Sequence, residues 1–247
     1  MSRVKLGAAL AILFLVVLLA TAPARLLASF LPEQSLRMSG FAGTVWNGSA
    51  ASASLAVGDA WLQLGQVNWT FSELFLLLLS PRLQLESSWG QQKLGGHISL
   101  SPTGKLHLRD AEARFPAALI QQWMPVQLRG NLDLLLHELR VEQGVPVAGD
   151  GRLVWQRALW RGVRGSQALG DYVLEFEVTG AGQVQAEVST LSGPVRVDGT
   201  LKIDNRNYEV DATLSSERAF DAELAAALEL MAAPVEGGYQ LKFSSEF

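Results

Sequence analysis

Cysteine is absent from this 247-residue sequence, and charged residues are sparse at 18% of the chain. Without cysteine the protein has no disulfide framework, no thiol nucleophile and no thiolate ligand for a metal ion. The net charge is −4 at pH 7, and the 20 Lys and Arg residues are scattered rather than clustered. This balance predicts no binding of nucleic acid, which requires a concentrated basic surface.

The side chains of a metal or catalytic site are also missing in any useful pattern. His97, His107 and His137 do not have the i, i+4 spacing with which a helix binds zinc, so we interpret each as a solvated or core-edge residue. Glu175 and Glu177 share one face of a strand, but an alternating strand leaves that face solvated. The sequence therefore predicts no enzyme, no metal and no cofactor.

A long uncharged run stands near the N-terminus. Residues 6–24 form a 19-residue stretch without charge, with Arg3 and Lys5 before it and Arg25 after it. A helix of that length covers roughly 29 Å, close to the thickness of the hydrocarbon core of a bilayer. We predict that residues 1–24 form a cytoplasmic tip and a single transmembrane anchor. The preceding positive charges predict a cytoplasmic N-terminus, with the bulk of the chain in the periplasm if the cell is bacterial.

A cleaved signal peptide is the competing interpretation of this run. Ala20-Thr21-Ala22 and Ala22-Pro23-Ala24 both have the small residues of a cleavage site. However, the run is longer than the roughly 7–15 residues of a usual signal-peptide core. Pro23 also follows the first candidate site directly, where its ring would obstruct the peptidase. We therefore favour an uncleaved anchor.

After a connector at residues 25–37, a period of two dominates the chain and predicts β-strands with one dry and one wet face. Short turn signals separate the strands, and such turns require antiparallel neighbours. We predict a mainly β fold over residues 38–247, built as a long antiparallel meander sheet, and leave open a division into two halves near residues 160–190. The predicted strands are residues 105–109, 127–129, 131–134, 172–178, 183–188, 195–203 and 208–214, and the turns are centred on residues 101–104, 149–151, 180–182, 204–207 and 237–238.

Three short helices interrupt this pattern. Ser72 is a candidate cap for a Leu-rich helix over residues 73–79, which we expect to be buried against the sheet or to rest near the membrane surface. Pro116 opens a second helix that Pro125 ends. A third helix ends at Pro234 and carries Phe220, Leu224, Leu228 and Met231 on one face.

The segment from Gly40 to Gly48 is rich in glycine but lacks the Lys-Ser or Lys-Thr ending of a phosphate-binding loop. Its glycines indicate a tight turn or bulge where another strand passes closely, with Trp46 packed on the core. Seven Trp residues are present, and we interpret them mainly as packing residues rather than as a platform for carbohydrate or lipid.

In their order along the chain, these features resemble the type II secretion system protein N family, also called general secretion pathway protein N (GspN). The shared pattern begins with the N-terminal anchor and continues with a G-T-L/V-W-x-G motif at Gly43-Thr44-Val45-Trp46-Asn47-Gly48. A G-x-L-x-W-x-x-A element follows at residues 151–158. The residues that carry the resemblance, with a structural role and no catalytic one, are Gly40, Gly43, Thr44, Trp46, Gly48, Trp69, Gly151 and Trp155.

The resemblance implies an inner-membrane subunit of the machine that exports folded proteins through an outer-membrane secretin. It also implies the partners, namely the inner-membrane platform subunits and the secretin, in addition to membrane lipid around the anchor. The G-T-x-W-x-G piece also occurs in AsmA-like membrane-tethered proteins, so a lipid-binding groove is the alternative function. Alternation of apolar and polar residues shows only that one face of a sheet is shielded from water, and both functions are compatible with such a face.

Overall fold

The computed structural model describes residues 3–29, 31, 32, 34–57, 60–72, 82–101, 103–122, 128–162, 165–217 and 219–246. The chain divides into two compact units, Met1–Gly90 and Gln91–Phe247. Both consist mainly of antiparallel strands, which confirms the predicted mainly β fold. The boundaries predicted for anchor, connector and folded domain stay predictions.

The first unit has four strands that pair in sequence order after an N-terminal helix. The short 3-10 helix that follows the N-terminal helix lies against β1 and β2. The elements are α1 (Arg3–Ala20), the 3-10 helix η1 (Ala24–Ser29), β1 (Leu36–Gly43), β2 (Asn47–Val57), β3 (Ala60–Phe71) and β4 (Arg82–Trp89).

The second unit has strands that pair antiparallel in sequence order up to β12, after which β14 lies between β12 and β13. Residues along β11 alternate almost perfectly between covered and exposed positions, as period two predicts. Its elements are β5 (Gln92–Leu100), β6 (Leu106–Pro116), the 3-10 helix η2 (Ala117–Gln122), β7 (Leu128–Glu142), β8 (Val145–Gly162), β9 (Gly165–Gly180), β10 (Gln183–Ser192), β11 (Val195–Asp204), β12 (Asn207–Ser216), α2 (Ala222–Glu229), β13 (Ala233–Val235) and β14 (Gly238–Glu246).

One predicted turn is wrong. Gly149-Asp150-Gly151 lies inside β8, which continues from Val145 to Gly162. The glycines serve close packing instead: a Cβ on Gly151 would lie 2.7 Å from the Leu135 carbonyl oxygen and 2.7 Å from the Phe176 ring. The predicted turns at residues 180–182, 204–207 and 237–238 do connect neighbouring strands.

The three predicted helices have different outcomes. The Leu-rich segment at residues 73–79 lies outside the described residues. The second is present as η2, a 3-10 helix of six residues. The third is shorter than predicted, because α2 ends at Glu229 and Pro234 belongs to the edge strand β13, where a residue without an N–H is tolerated. Of the four residues predicted on one face of this helix, Leu224 and Leu228 lie within α2, whereas Phe220 precedes it and Met231 follows it. Leu224 is buried and Met231 is 59% exposed.

Within the described part of the chain, no helix combines the length and the hydropathy that a membrane crossing requires.

Each unit has its own buried cluster. In the first unit, Ala24 from η1 packs with Ala50, Ala53, Val67 and Trp69. In the second unit, the cluster consists of Ala158, Leu169, Tyr172, Val195 and, from α2, Leu224. A short helix thus contributes a side chain to the buried cluster of each unit.

Candidate functional site

The motif from Gly43 to Gly48 is the hairpin turn between β1 and β2. Gly43 ends β1 with φ +81°, a left-handed conformation that favours glycine, and a Cβ there would lie 2.5 Å from the Asn47 carbonyl oxygen. Thr44 closes the turn, since its backbone N–H donates to the Asn47 carbonyl at 2.9 Å. Its hydroxyl in turn accepts from the Asn47 N–H at 3.0 Å. The predicted tight turn is therefore present.

The same turn holds the chain that follows α1. The Trp46 indole N–H donates to the Leu19 carbonyl, near the end of α1, at 2.8 Å. Next to it, the Val45 N–H donates to the Ala22 carbonyl at 2.9 Å, and Pro23 forms an isolated antiparallel bridge with Thr44. Carbonyls at the end of a helix lack the regular intrahelical partner, and the turn gives the Leu19 carbonyl, which also accepts the Ala22 N–H at 3.2 Å, a second donor. We call this arrangement the helix socket: Thr44, Val45 and Trp46 on the turn, with Leu19, Ala22 and Pro23 on the incoming chain.

Trp69 forms the core beneath the helix socket. It is only 4% exposed, and its indole N–H donates to the Val45 carbonyl at 3.0 Å. Phe41 packs edge-on against it with ring centroids 6.3 Å apart. Gly48 permits this approach, because a Cβ on Gly48 would lie 2.7 Å from the Trp69 ring. Trp46 itself is half-buried and meets Phe71 edge-on at 6.4 Å.

Six of the eight residues that carried the family resemblance therefore belong to one neighbourhood of the first unit. Gly40 lies on β1 beside Ala51 of β2, four residues before Thr44. Gly151 and Trp155 lie in the second unit, on β8. The Trp155 indole N–H donates to the Arg129 carbonyl at 3.1 Å, and its ring lies 5.8 Å from that of Tyr172.

Two residues that sequence reasoning did not single out organise the surroundings of Trp155. Asp171 accepts the Arg157 backbone N–H at 2.6 Å and the Ser192 hydroxyl at 2.7 Å, and these hydrogen bonds lower the pKa of its carboxyl. The Tyr172 hydroxyl donates to the Val195 carbonyl at 2.9 Å, and burial raises the pKa of this phenol to about 12. Arg157 has φ +51° at a bulge in β8, a local geometry that alternation alone does not reveal.

The polar face of the second unit has a shallow cleft of about 600 Å³, lined by Asp150, Arg152, Glu175, Gln185 and Lys202 among others. His137 accompanies Asp150 there, with Nδ1 2.7 Å from the carboxylate, and both side chains are more than half exposed. His107 is paired with Glu138 at 2.9 Å, and His97 is exposed. Across the described residues, no three metal-ligating side chains converge. The cleft offers mixed charges in contact with solvent.

Of the other Trp residues, Trp61 and Trp160 are half-buried, as packing residues would be, whereas Trp89 is 54% exposed. Trp123 lies outside the described residues.

The fold and this site define a class of β-rich proteins in which a Gly-Thr-Val-Trp-Asn-Gly turn holds the chain at the end of an N-terminal helix. The chain belongs to the type II secretion system protein N family, because the family model described as "Type II secretion system (T2SS), protein N" matches residues 34–242. The resemblance inferred from the motifs is confirmed.

Three curated relatives carry the name type II secretion system protein N. The one from Vibrio cholerae serotype O1 is 26% identical over 226 residues, covering 86% of this chain and 85% of the relative. The Klebsiella pneumoniae relative is 28% identical over 232 residues, with coverage of 90% and 87%. The Aeromonas hydrophila relative is 26% identical over 253 residues, with coverage of 98% and 97%. No solved structure matches the chain.

Proposed function

We propose that the protein is a non-enzymatic assembly subunit of the type II secretion system, anchored in the bacterial inner membrane by residues 6–24. Its N-terminus lies in the cytoplasm and its β-rich part in the periplasm. There it contacts subunits of the inner-membrane platform and the secretin, and so takes part in the export of folded proteins across the outer membrane. Membership of the protein N family is the observation that carries this proposal.

The exposed surface of α1 supports the anchor. Seven consecutive apolar side chains, from Leu13 to Leu19, are each between 52% and 69% exposed. Exposed apolar side chains all round a helix are stable only in an apolar environment or against a partner. The uncharged run in the sequence extends beyond α1 to Ala24, and the basic residues on either side of it fit the two surfaces of a bilayer.

The helix socket supports a role in assembly rather than loose tethering. Because Trp46, Val45 and Thr44 contact the chain at Leu19, Ala22 and Pro23, the first unit sits directly at the end of α1. A subunit held in this way presents its strands at a defined height above the membrane. That is the property which a protein-contacting component of a membrane machine requires.

Cysteine accessibility tests the topology. The chain has no cysteine, so single substitutions give unique labelling sites. We expect Ser52→Cys, on the exposed surface of β2, to react with a membrane-impermeant maleimide once the outer membrane is opened. The matched variant Ser2→Cys should react only after the inner membrane is lysed. Equal reactivity of the two sites before lysis would contradict the proposed orientation.

Co-purification tests the partners. We expect the full chain, extracted in mild detergent from secreting cells, to retain platform or secretin subunits. The Trp46→Ala variant, with a loosened helix socket, should retain fewer of them. Clean separation of the native protein from every one of those subunits would contradict the proposal.

An AsmA-like lipid-binding groove is the second candidate function, and one observation favours it. Apolar side chains follow one another across the strands of the second unit on a single face, as in the cross-strand series Leu108, Leu139, Gly149, Val178, Val184 and Ile203. Within the described residues, α2 covers the Tyr172 end of this face. Native mass spectrometry of the purified chain tests this function, which predicts bound lipid after gentle extraction, whereas a lipid-free protein would argue against it.

A further inference from the structure

The outer side of β14 in the second unit is covered along only part of its length. β12 pairs with β14 from Gly238 to Glu246, whereas β13 pairs with it at three residues only, Gly238 to Gln240. No described strand lies beside residues 241–244 on that outer side. We call residues 241–244 the open edge.

The open edge presents backbone hydrogen-bonding groups in a regular order. Val235 and Gly238 close a two-residue hairpin loop, so the Gly238 and Gln240 backbone groups point towards β13. On the opposite side, the Ser216 N–H donates to the Gly237 carbonyl, in agreement with that phase. Because the direction alternates along an antiparallel strand, the N–H and C=O groups of Lys242 and Ser244 point outwards. These groups form a template for a further strand.

Exposed apolar side chains border the open edge. Leu230 is 87% exposed and Met231 is 59% exposed, and both lie a few residues before β13, whose pairing with β14 ends at Ala233 and Gln240. Phe243 on β14 is 38% exposed. Phe243 is supported from inside by Tyr208, with ring centroids 6.0 Å apart. An added strand would bury this apolar surface in addition to forming backbone hydrogen bonds.

A charged residue of β14 determines which side chains suit the other face of the added strand. Lys242 lies on the polar face, opposite Asp211 of β12, and its side chain is 66% exposed with Nζ 3.3 Å from the Asp211 carboxylate. A neighbour laid against β14 would therefore place one row of side chains beside Leu241 and Phe243 and the other row beside Lys242. Apolar residues suit the first row and an acidic residue suits the second.

The edge strand of the first unit is contacted by the chain that follows α1. β1 is also an edge strand, but just beyond its end the chain after α1 pairs with the turn, through Pro23 with Thr44 and through Ala22 with Val45. η1 then continues alongside β1. The chain that follows α1 thus lies along part of the edge of the first unit, as β13 lies along part of β14 in the second.

We propose that the open edge of β14 binds an extended segment of a partner protein by strand addition, and that this segment alternates apolar residues with an acidic residue placed opposite Lys242. The inference rests on the proposed function, because that function supplies the partner protein from the secretion machinery.

A synthetic nine-residue peptide that alternates Val with Glu and Thr is the probe, measured by fluorescence anisotropy against the full chain in detergent. Ser244→Pro removes an outward N–H without removing a hydrogen bond to β12, and we expect it to weaken binding at least about tenfold. Its matched control, Ser244→Ala, keeps the N–H and should bind within about twofold of the unchanged protein. Equal binding by these two variants would overturn the proposal.

A charge swap keeps the proposal testable if Ser244→Pro fails to fold, which its melting temperature would show. A second peptide with Lys in place of Glu should bind the unchanged protein at least about threefold more weakly. Lys242→Glu should reverse this preference between the two peptides. A preference that stays the same in Lys242→Glu would overturn the acidic specificity that we propose.

Experiments in secreting cells distinguish this proposal from the proposed function. A photo-crosslinking residue at position 244 should capture another secretion subunit in secreting cells, whereas capture of a second copy of this chain would overturn the inference. If the gene deletion abolishes secretion but Ser244→Pro secretes normally, the open edge is not the contact and the proposed function stands. Normal secretion by the deletion strain would contradict the proposed function itself.

Discussion

Trp69 in the first unit and Trp155 in the second unit occupy similar sites, but different helices pack over the two cores. Each indole N–H donates to a backbone carbonyl of an earlier segment, Val45 for Trp69 and Arg129 for Trp155. In each case a glycine lies so close that an added Cβ would approach the indole to 2.7 Å, Gly48 in the first site and Gly130 in the second. The same packing solution thus appears once in each unit.

The difference lies in what closes each core. Ala24 of η1 closes the first core, and η1 follows directly from α1 through the helix socket. Leu224 of α2 closes the second core, and α2 is a separate helix whose first turn is capped by Asp221. The first core is therefore covered by the chain that leads out of α1, whereas the second core is covered by α2, which lies between β12 and β13 in the sequence. Substitutions in the two sites should reflect this difference.

The largest expected effect is on stability, from Trp69→Ala. Trp69 is 4% exposed, so the variant loses a large buried side chain and leaves a cavity, at a cost of about 3–5 kcal/mol in the free energy of unfolding. Trp155→Ala should cost less, because Trp155 is only half-buried. Denaturant unfolding followed by circular dichroism measures both variants. Equal costs would remove the distinction between the two sites.

The second effect concerns pH and belongs to the second unit. Burial raises the pKa of Tyr172 to about 12, so the folded state keeps this proton while the unfolded chain releases it near pH 10. Stability conferred by the neutral phenol is complete below pH 10 and falls as the pH rises towards 12, by roughly 2–3 kcal/mol. Unfolding measured from pH 9 to 12 checks this.

Tyr172→Phe is the control for that pH dependence. It lacks the hydroxyl that donates to Val195 and should cost about 1 kcal/mol at neutral pH. In the same variant, the part of the stability loss above pH 10 that Tyr172 causes should disappear. An unchanged slope between pH 10 and 12 would show that Tyr172 is not the titrating group.

A smaller effect, about 2 kcal/mol, is expected from Gly43→Val at the turn of the first unit. Gly43 has φ +81°, and a Cβ would meet the Asn47 carbonyl at 2.5 Å. Gly104→Val is a matched control, because Gly104 has φ +76° but no atom within 4 Å of an added Cβ. The excess loss in Gly43→Val over the control measures the close packing of the turn. We expect melting temperature and secretion to fall together in Gly43→Val; lost secretion at unchanged stability would instead identify a contact surface.

The smallest effect should come from the cap of α2. The Asp221 side chain accepts the Glu223 N–H at 3.0 Å, and Asp221→Ala should cost about 1 kcal/mol in thermal or denaturant unfolding. Asp221→Asn retains an acceptor and should recover most of that loss. Because η1 has no part in the second unit, neither variant should change the mobility of α1. A change there would contradict the independence of the two covers.

Sequence alternation predicted all or part of β6, β7 and β9 to β12 in the second unit, but not β5, β8, β13 or β14, and the successes have a physical reason. Each of those strands has one polar and one apolar face, so period two is visible in residues such as Val195 to Ile203. β2 was not predicted, because it consists largely of Ser and Ala. Their small side chains give its two faces similar hydropathy. The turn predicted at Gly149-Asp150-Gly151 failed because glycine also marks close approach between paired strands.

The site was predictable only in part. The Gly-Thr-Val-Trp-Asn-Gly motif indicated a tight turn, since glycine at Gly43 implies an unusual backbone conformation. The hydrogen bond from Trp46 to Leu19 joins residues 27 positions apart, and no local pattern encodes it. Burial likewise separates Trp69 from Trp46 only once the strands are paired, because both lie in similar stretches of sequence.

The most direct test of the central claim is a distance measurement across the helix socket. Spin labels at Val16→Cys on α1 and Ser52→Cys on β2 are unique, since the chain has no other cysteine. If Trp46 fastens the first unit to α1, the labelled full chain in nanodiscs should show one narrow distance distribution, which broadens in Trp46→Ala and stays narrow in the control Trp61→Ala. A broad distribution in the unsubstituted chain, or an unchanged width in Trp46→Ala, would contradict the account.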